Sequence, residues 1–225
     1  MIYVGLQGSY KSFEIALFQD KICLQTVSGD GVQASSQFLV FFQKLLQKNK
    51  KKLSDLQFIA VDQGPGAFTS LRVIIATVNA LAFETGVSLV GVDGLDALAQ
   101  ETCDLVKKAI REPNKVVLVS LLNAYNNEVY YSICDNKGYK KIDCLIDELE
   151  HMKASRFLFT GNGASLHKEL IFEILGDRIV NPYVPLSFCS AKQVGIMGFL
   201  FWEEKKNIYS ELKPLYLKTQ TFAVR

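Results

Sequence analysis

The feature that most constrains this chain is an order of apolar runs that occurs twice. Residues 2–7, 12–19 and 22–27 run or alternate apolar around turn residues at Gly8-Ser9-Tyr10-Lys11, predicting a three-stranded antiparallel meander. Helical periodicity follows over 32–48, then a strand at 56–62, a helix after Thr69, a strand at 88–92 and a helix from Leu95. The order is βββαβαβα. The second half repeats this grammar with strands at 116–122 and 128–134, a turn at Asp135-Asn136-Lys137-Gly138 and a short strand at 140–144. A helix over 147–152, a strand at 157–160 and a helix after Gly161-Asn162-Gly163 complete it. Two copies of one α/β topology predict duplicated lobes, each a mixed sheet flanked by helices, facing each other across a cleft. The first lobe is expected over 1–110, joined by a last helix at 190–206 with Val194, Met197, Gly198 and Phe201 on its apolar side. The smaller second lobe should span 111–189, and an extended tail 207–225.

A chain of 225 residues, 49% hydrophobic, can bury a real core. Disorder and membrane spanning both fit poorly. The start Met1-Ile2-Tyr3-Val4-Gly5 lacks the pattern of a signal peptide, so a cytoplasmic location is expected. Five widely spaced cysteines, none in a CxxC pair, predict buried reduced thiols rather than disulfides. A net charge of +2 is too small for a general nucleic-acid binder. The run Lys48-Asn49-Lys50-Lys51-Lys52 reads first as the solvated, dipole-favoured end of a helix and second as an RNA contact.

The stretch Asp62-Gln63-Gly64-Pro65-Gly66-Ala67-Phe68-Thr69-Ser70-Leu71-Arg72 joins a strand to a helix through a glycine turn. Gly64 and Gly66 permit backbone angles and approaches that a Cβ would block, and Pro65 fixes one φ. Thr69 or Ser70 can cap the helix, whose N-terminus, with Arg72 nearby, would suit an anion such as phosphate. The alternative is a tight turn with no ligand. No Gly-Lys-Ser/Thr follows, so this is not a Walker loop.

The two helices flanking this loop's strand are too apolar for ordinary surface elements. One carries Phe38, Phe41, Phe42 and Leu45; the other carries Leu71, Ile75 and Val78, with Asn79 beside them. These predict a partner-binding surface, the alternative being burial within the chain itself. On the partner reading, a charge at Phe41 or Ile75 would abolish association and leave the monomer folded.

Catalytic chemistry is sparse. His151 and His167, the only histidines, lie in no nucleophile or metal motif, so neither catalytic nor metal residues are assigned and no cofactor is expected. The two-lobed topology resembles the actin-like ATPase and sugar-kinase superfamily, whose first strand normally carries an aspartate that manages metal-bound nucleotide. Gln7 stands at that position here, and a neutral amide cannot hold magnesium near phosphates. Asp62 and Asp93, at strand ends, read first as turn and cap carboxylates and second as acids or bases.

Gly64-Pro65-Gly66-Ala67-Phe68-Thr69-Ser70-Leu71-Arg72 resembles the hallmark Gly-Pro-Gly-Ser-Phe-Thr-Gly-Leu-Arg of the bacterial TsaB (YeaZ) family. The likeness continues through Leu89-Val90-Gly91-Val92, Leu95, Ala97-Leu98-Ala99, Glu128-Val129-Tyr130, Gly161-Asn162-Gly163 and Pro214-Leu215-Tyr216-Leu217-Lys218, nearly the whole chain. Three positions depart from the family pattern: Gln7 in its first-strand "DTS", and Asn123 and Tyr125 in place of its "DAR" aspartate and arginine. The resemblance implies an RNase H-like, actin-like fold and a non-catalytic partner of TsaD, the enzyme that places threonylcarbamoyl on the adenosine beside the tRNA anticodon. It also implies TsaE as a third component, the N-terminal-lobe helices as the pairing surface, and tRNA contact through the complex. An independent enzyme of the superfamily, kinase or glycoprotease-like, and a homodimeric regulator are the alternatives.

Overall fold

The structure is a computed structural model describing residues 1–10, 12–29, 34–107, 115–153, 156–180 and 186–218. Lys11 of the expected first turn, the expected helix start at Val32 and the tail beyond Lys218 lie outside the described residues. The chain divides into two compact units: Met1–Ala97 with Cys189–Pro214, and Leu98–Phe188 with the segment from Leu215.

The first unit holds a six-stranded sheet. Strands β1 (Ile2–Gln7), β2 (Phe13–Gln19) and β3 (Ile22–Gly29) form the meander, β4 (Leu56–Asp62) and β5 (Ser88–Val92) run parallel to β1, and β10 (Ile208–Tyr209) closes the far edge. The spatial order is β10-β5-β4-β1-β2-β3. Strand alternation sends Val4, Leu6, Ile15, Leu17, Ile59 and Val61 to one face, where α1 (Ala34–Lys48) and α2 (Phe68–Thr85) cover them.

Helix α7 (Ala191–Glu203) packs on the opposite face. Its contact is made by small residues rather than by an aliphatic stripe. A Cβ on Gly5 of β1 would lie 2.3 Å from the Ala191 carbonyl oxygen, and one on Gly195 would lie 2.3 Å from the Phe18 ring. The helix therefore rides directly on the strand backbone, with Tyr3, Phe18, Phe58 and Trp202 stacked beside it at centroid distances of 4.6–4.9 Å. The buried residues are Ala191, Gln193, Val194, Gly195 and Gly198, so Val194 and Gly198 face inward as read, whereas Met197 and Phe201 are half-buried. Capping also fixes this helix. The Ser190 hydroxyl accepts from the Gln193 N–H (3.0 Å), and Glu14 of β2 accepts from the Ala191 N–H (2.6 Å), placing a carboxylate at the positive end of the helix.

The second unit repeats the pairing pattern: β6 (Val116–Asn123), β7 (Glu128–Ile133), β8 (Asn136–Lys141) and β9 (Arg156–Thr160) in the order β8-β7-β6-β9, with β6 and β9 parallel. This is the β3-β2-β1-β4 arrangement of the first unit. The next parallel strand is reduced, among the described residues, to one bridge between Phe157 and Ile179. Helices α4 (Ile142–His151), α5 (Asn162–Leu166) and α6 (Lys168–Leu175) cover Val119, Leu121, Val129, Tyr131, Phe157 and Phe159. Between the units' segments in sequence runs α3 (Gly94–Val106), whose Thr102 donates to Thr160 (2.9 Å).

Three local expectations are corrected. The turn expected at residues 135–138 is tighter, because Ile133 and Asn136 pair directly and Cys134, at φ +52°, makes the bend with Asp135. Gly138 lies within β8 opposite Tyr131, where a Cβ would come 3.0 Å from the tyrosine hydroxyl, and α4 starts at Ile142 rather than 147. The cysteines are not all buried: Cys189 is, but Cys103, Cys134 and Cys144 are exposed, and none of the five forms a disulfide.

Candidate functional site

Gln7, Asp62 and Asp93 end the parallel strands β1, β4 and β5 or follow them by one residue, the side of an open α/β sheet where ligands gather. Here that side is closed by its own polar network. The Gly64 N–H donates to Asp62 Oδ1 (2.8 Å), the Ala67 N–H to the Ser9 carbonyl (2.7 Å), and the Gly94 N–H to the Gly64 carbonyl (2.8 Å). Gln7 Nε2 donates to Ser9 Oγ (3.0 Å), and Gln7, Ser9 and Asp62 are all buried. Gly64 adopts φ +101°, and a Cβ on Gly66 would lie 2.3 Å from the Ser9 carbonyl oxygen, so both glycines are demanded by the turn's close seat on Ser9. The loop that carries the family hallmark is thus clamped inward on Asp62.

The expected caps are corrected: α2 starts at Phe68 with Ala67 as its cap residue and no side-chain cap bond, leaving Thr69 and Ser70 inside the first turn. Arg72 stacks its guanidinium 3.7 Å from the Phe68 ring centroid. Asp93 takes the capping role instead, accepting from the N–H groups of Leu95 (2.8 Å) and Asp96 (3.3 Å).

Burial drives the Asp62 carboxyl from its ordinary 3.8 up to about 6, against the opposing pull of the Gly64 N–H, Ser9 and Gln7 and with a small push from Asp93. Because the folded chain then holds this proton more tightly than the unfolded chain, the group's contribution is full below about pH 3.8 and is lost as pH rises through 6. Urea titrations at pH 4 and pH 7 should differ by about 2–3 kcal/mol more for the natural chain than for Asp62→Asn. Equal differences in the two proteins would show that Asp62 ionises freely.

The two over-apolar helices divide differently from the sequence expectation. Phe38, Phe42 and Leu45 of α1 and Leu71, Ile75 and Val78 of α2 are buried in the unit's own core, and Phe41 is half-buried, edge-on to Phe13 at 5.4 Å. Positions 38, 42 and 45, like 71, 75 and 78, lie on one side of their helix, and that side is the one packed against the sheet. Asn79 is occupied as well: its amide donates to the Leu212 carbonyl and accepts from the Leu212 N–H, both at 2.9 Å, while Gln63 donates to the Lys213 carbonyl (2.8 Å). These two amides tie down the extended segment after β10, a role that the sequence did not reveal. The apolar residues that face outward are Leu39 (48% exposed) and Val40 on α1 and Ala76, Ala80 and Phe83 (93% exposed) on α2, beside polar and charged ones such as Gln43, Lys44, Arg72 and Glu84. Between the helices lies a groove of about 460 Å³, lined by Leu39, Phe42, Leu46, Leu53, Leu81 and Lys51. Positions 72, 76, 80 and 83 share one helical stripe, a signal available in the sequence once the sheet-facing side is known. Helix α2 is long and apolar enough to cross a membrane, but its buried residues are those packed on the sheet.

A family model described as TsaD: tRNA N6-adenosine threonylcarbamoyltransferase matches residues 33–220. The tRNA threonylcarbamoyladenosine biosynthesis protein TsaB of Buchnera aphidicola is 25% identical over 217 residues, covering 91% of this chain and 95% of that protein. The protein of the same name from Bacillus subtilis is 27% identical over 126 residues, covering 55% of this chain and 54% of that protein. Among solved structures, YeaZ from Pseudomonas aeruginosa superposes with a TM-score of 0.71 at 20% identity, covering 96% and 99% of the two chains. That likeness establishes a shared fold, the RNase H-like, actin-like architecture expected from the repeated topology. With a model match across most of its length, the chain belongs to the family described as TsaD: tRNA N6-adenosine threonylcarbamoyltransferase.

Proposed function

We propose that this chain is a non-catalytic subunit of tRNA threonylcarbamoyladenosine formation that pairs with a TsaD enzyme through the outward faces of α1 and α2. The observation that carries this reading is the exposed apolar surface of Leu39, Val40, Ala76, Ala80 and Phe83 beside an open groove, on a member of this family. A surface of that kind costs solvent exposure unless a partner covers it. Against catalysis by the chain itself stands the strand-end network, in which Gln7 replaces the superfamily's metal-managing carboxylate and the Gly64 and Ala67 N–H groups are committed to Asp62 and Ser9. TsaE would join the pair, tRNA would be met through the complex, and the expected setting is the cytoplasm.

Threonylcarbamoylation of tRNA by the cognate TsaD, TsaE and adenylate-forming enzyme, read by mass spectrometry of nucleosides, tests this. Omitting the chain should bring modification down to background. Full modification without it would refute the subunit role. Sizing the chain alone and with TsaD separates the pair from a homodimer built on the same face.

A further inference from the structure

The second unit carries a feature that the pairing reading does not use. The loop between β6 and β7 holds three consecutive non-glycine residues in the left-handed region, Tyr125 (φ +61°), Asn126 (+53°) and Asn127 (+57°). L residues visit that region singly and at a cost, so a run of three persists only where surrounding bonds over-determine it. Those bonds are present. Asn123 Oδ1 accepts from the Tyr125 N–H (2.8 Å), Asn162 Oδ1 from the Asn123 N–H (2.9 Å), and the Asn127 carbonyl from the Ile142 N–H (2.9 Å). The result of this arrangement is an aromatic ring, Tyr125, held 49% exposed at the head of the sheet.

Two more tyrosines stand beside it. Tyr130 and Tyr139 are directly paired across β7 and β8 and so share a face, Tyr139 being 39% exposed. The Tyr130 hydroxyl is pushed up by burial first, then by Glu128, Tyr125 and Tyr139, which places the other two phenols in its neighbourhood. Lys137 and Lys141, opposite Ser132 and Glu128, stand on that same face and bracket Tyr139 over about 13 Å. Glu128, the one carboxylate of these two strands, is ion-paired with Lys218, whose ammonium also lies 5.9 Å from the Tyr139 ring centroid. Lysines on an edge strand resist edge-to-edge pairing and tyrosine pairs stiffen a sheet, but neither explains the cost of the left-handed loop that displays Tyr125.

We propose that this face, with Tyr125, Tyr130 and Tyr139 as stacking rings and Lys137, Lys141 and Lys218 as cations, receives the unstacked bases of a single-stranded RNA loop. The exposed rings of Tyr125 and Tyr139, with half-buried Tyr130 beside them, accept any base face, and flanking cations follow the phosphates, which is the chemistry of single-strand recognition. The inference rests on the tRNA reading above and adds to it a surface and a strand state.

The test uses the full chain with TsaD and TsaE, a labelled anticodon stem-loop RNA, and the same stem closed as a blunt duplex, by fluorescence anisotropy at fixed salt. Tyr125→Ala with Tyr139→Ala should weaken stem-loop binding about 10–100-fold, leave duplex binding unchanged, and be rescued by the two Phe variants. Both sites are surface positions, and thermal melting of the variants should match the natural chain. Stem-loop affinity within about twofold of the natural chain would overturn the proposal. Loss of TsaD association with RNA affinity intact would overturn it too, by assigning the face to a protein. If the natural chain supports tRNA modification while the variants bind RNA normally, this inference alone falls; if modification never depends on the chain, the pairing reading falls instead.

Discussion

Leu39→Asp and Phe83→Asp are each expected to lower the affinity for TsaD about 100-fold while leaving the urea midpoint of the isolated chain unchanged. Both side chains are exposed on the first unit, Phe83 almost entirely, so a carboxylate there costs nothing until a partner removes the water around it. Ile75→Asp is expected to behave in the opposite way. Ile75 is 3% exposed inside the core of α1, α2 and the sheet. A lone charge at such a site costs several kcal/mol, comparable with the whole stability of a domain, so this variant should fail to fold. This revises the expectation that a charge at Ile75 would spare the monomer, and it assigns Phe41, half-buried against Phe13, a mixture of the two effects. The measurement is isothermal titration with TsaD beside urea unfolding of each variant. Retained affinity in Leu39→Asp and Phe83→Asp would remove this face as the pairing surface. A normally folded Ile75→Asp would mean that α2 does not pack on the sheet as described.

Gly5→Ala carries the second large effect. The added methyl would lie 2.3 Å from the Ala191 carbonyl oxygen and 2.6 Å from the Gly195 nitrogen, both backbone atoms that cannot rotate aside. Helix α7 must then lift away from β1, loosening the aromatic stack of Tyr3, Phe58 and Trp202, with an expected loss of about 3–5 kcal/mol by urea unfolding. Gly86→Ala provides the contrast. Nothing lies within 4 Å of its Cβ position, but φ is +71°, so the cost should be only about 1 kcal/mol, that of the left-handed backbone. Similar losses in the two variants would mean that the packing of α7 against β1 is not what limits stability.

The elements of the first unit were legible, apart from β10 inside the expected tail, because each of the others has a strong periodic or punctuating signal. β4 spans Leu56–Asp62 and β5 spans Ser88–Val92, as the apolar runs between turn residues predict. The second unit was less clear near β8, since Asn136-Lys137-Gly138 has turn composition but pairs as strand under Tyr131. There the cross-strand ring fills the space that glycine leaves, a nonlocal contact with no trace in local propensity. The Asp93 and Asp62 carboxylates were legible as cap and turn residues. The depth of Asp62, and the upward push on its carboxyl that follows, was not, because burial is a property of everything packed around a residue.

By itself, the sequence determined the α/β class, the repeated βββ-helix-strand order, the place of the glycine turn between strand and helix, and the family likeness. These depend on periods of two and 3.6 residues and on glycine and proline chemistry, all local. Only the tertiary structure decided which side of α1 and α2 faces water, that Asn79 and Gln63 hold the segment at Leu212 and Lys213, and that α7 sits on bare backbone at Gly5. Helix α2 is apolar over most of its circumference and α1 carries Val40 away from its main apolar side, so periodicity alone leaves their rotation undetermined. The sheet chooses it, by the shape of the side chains it offers to be covered.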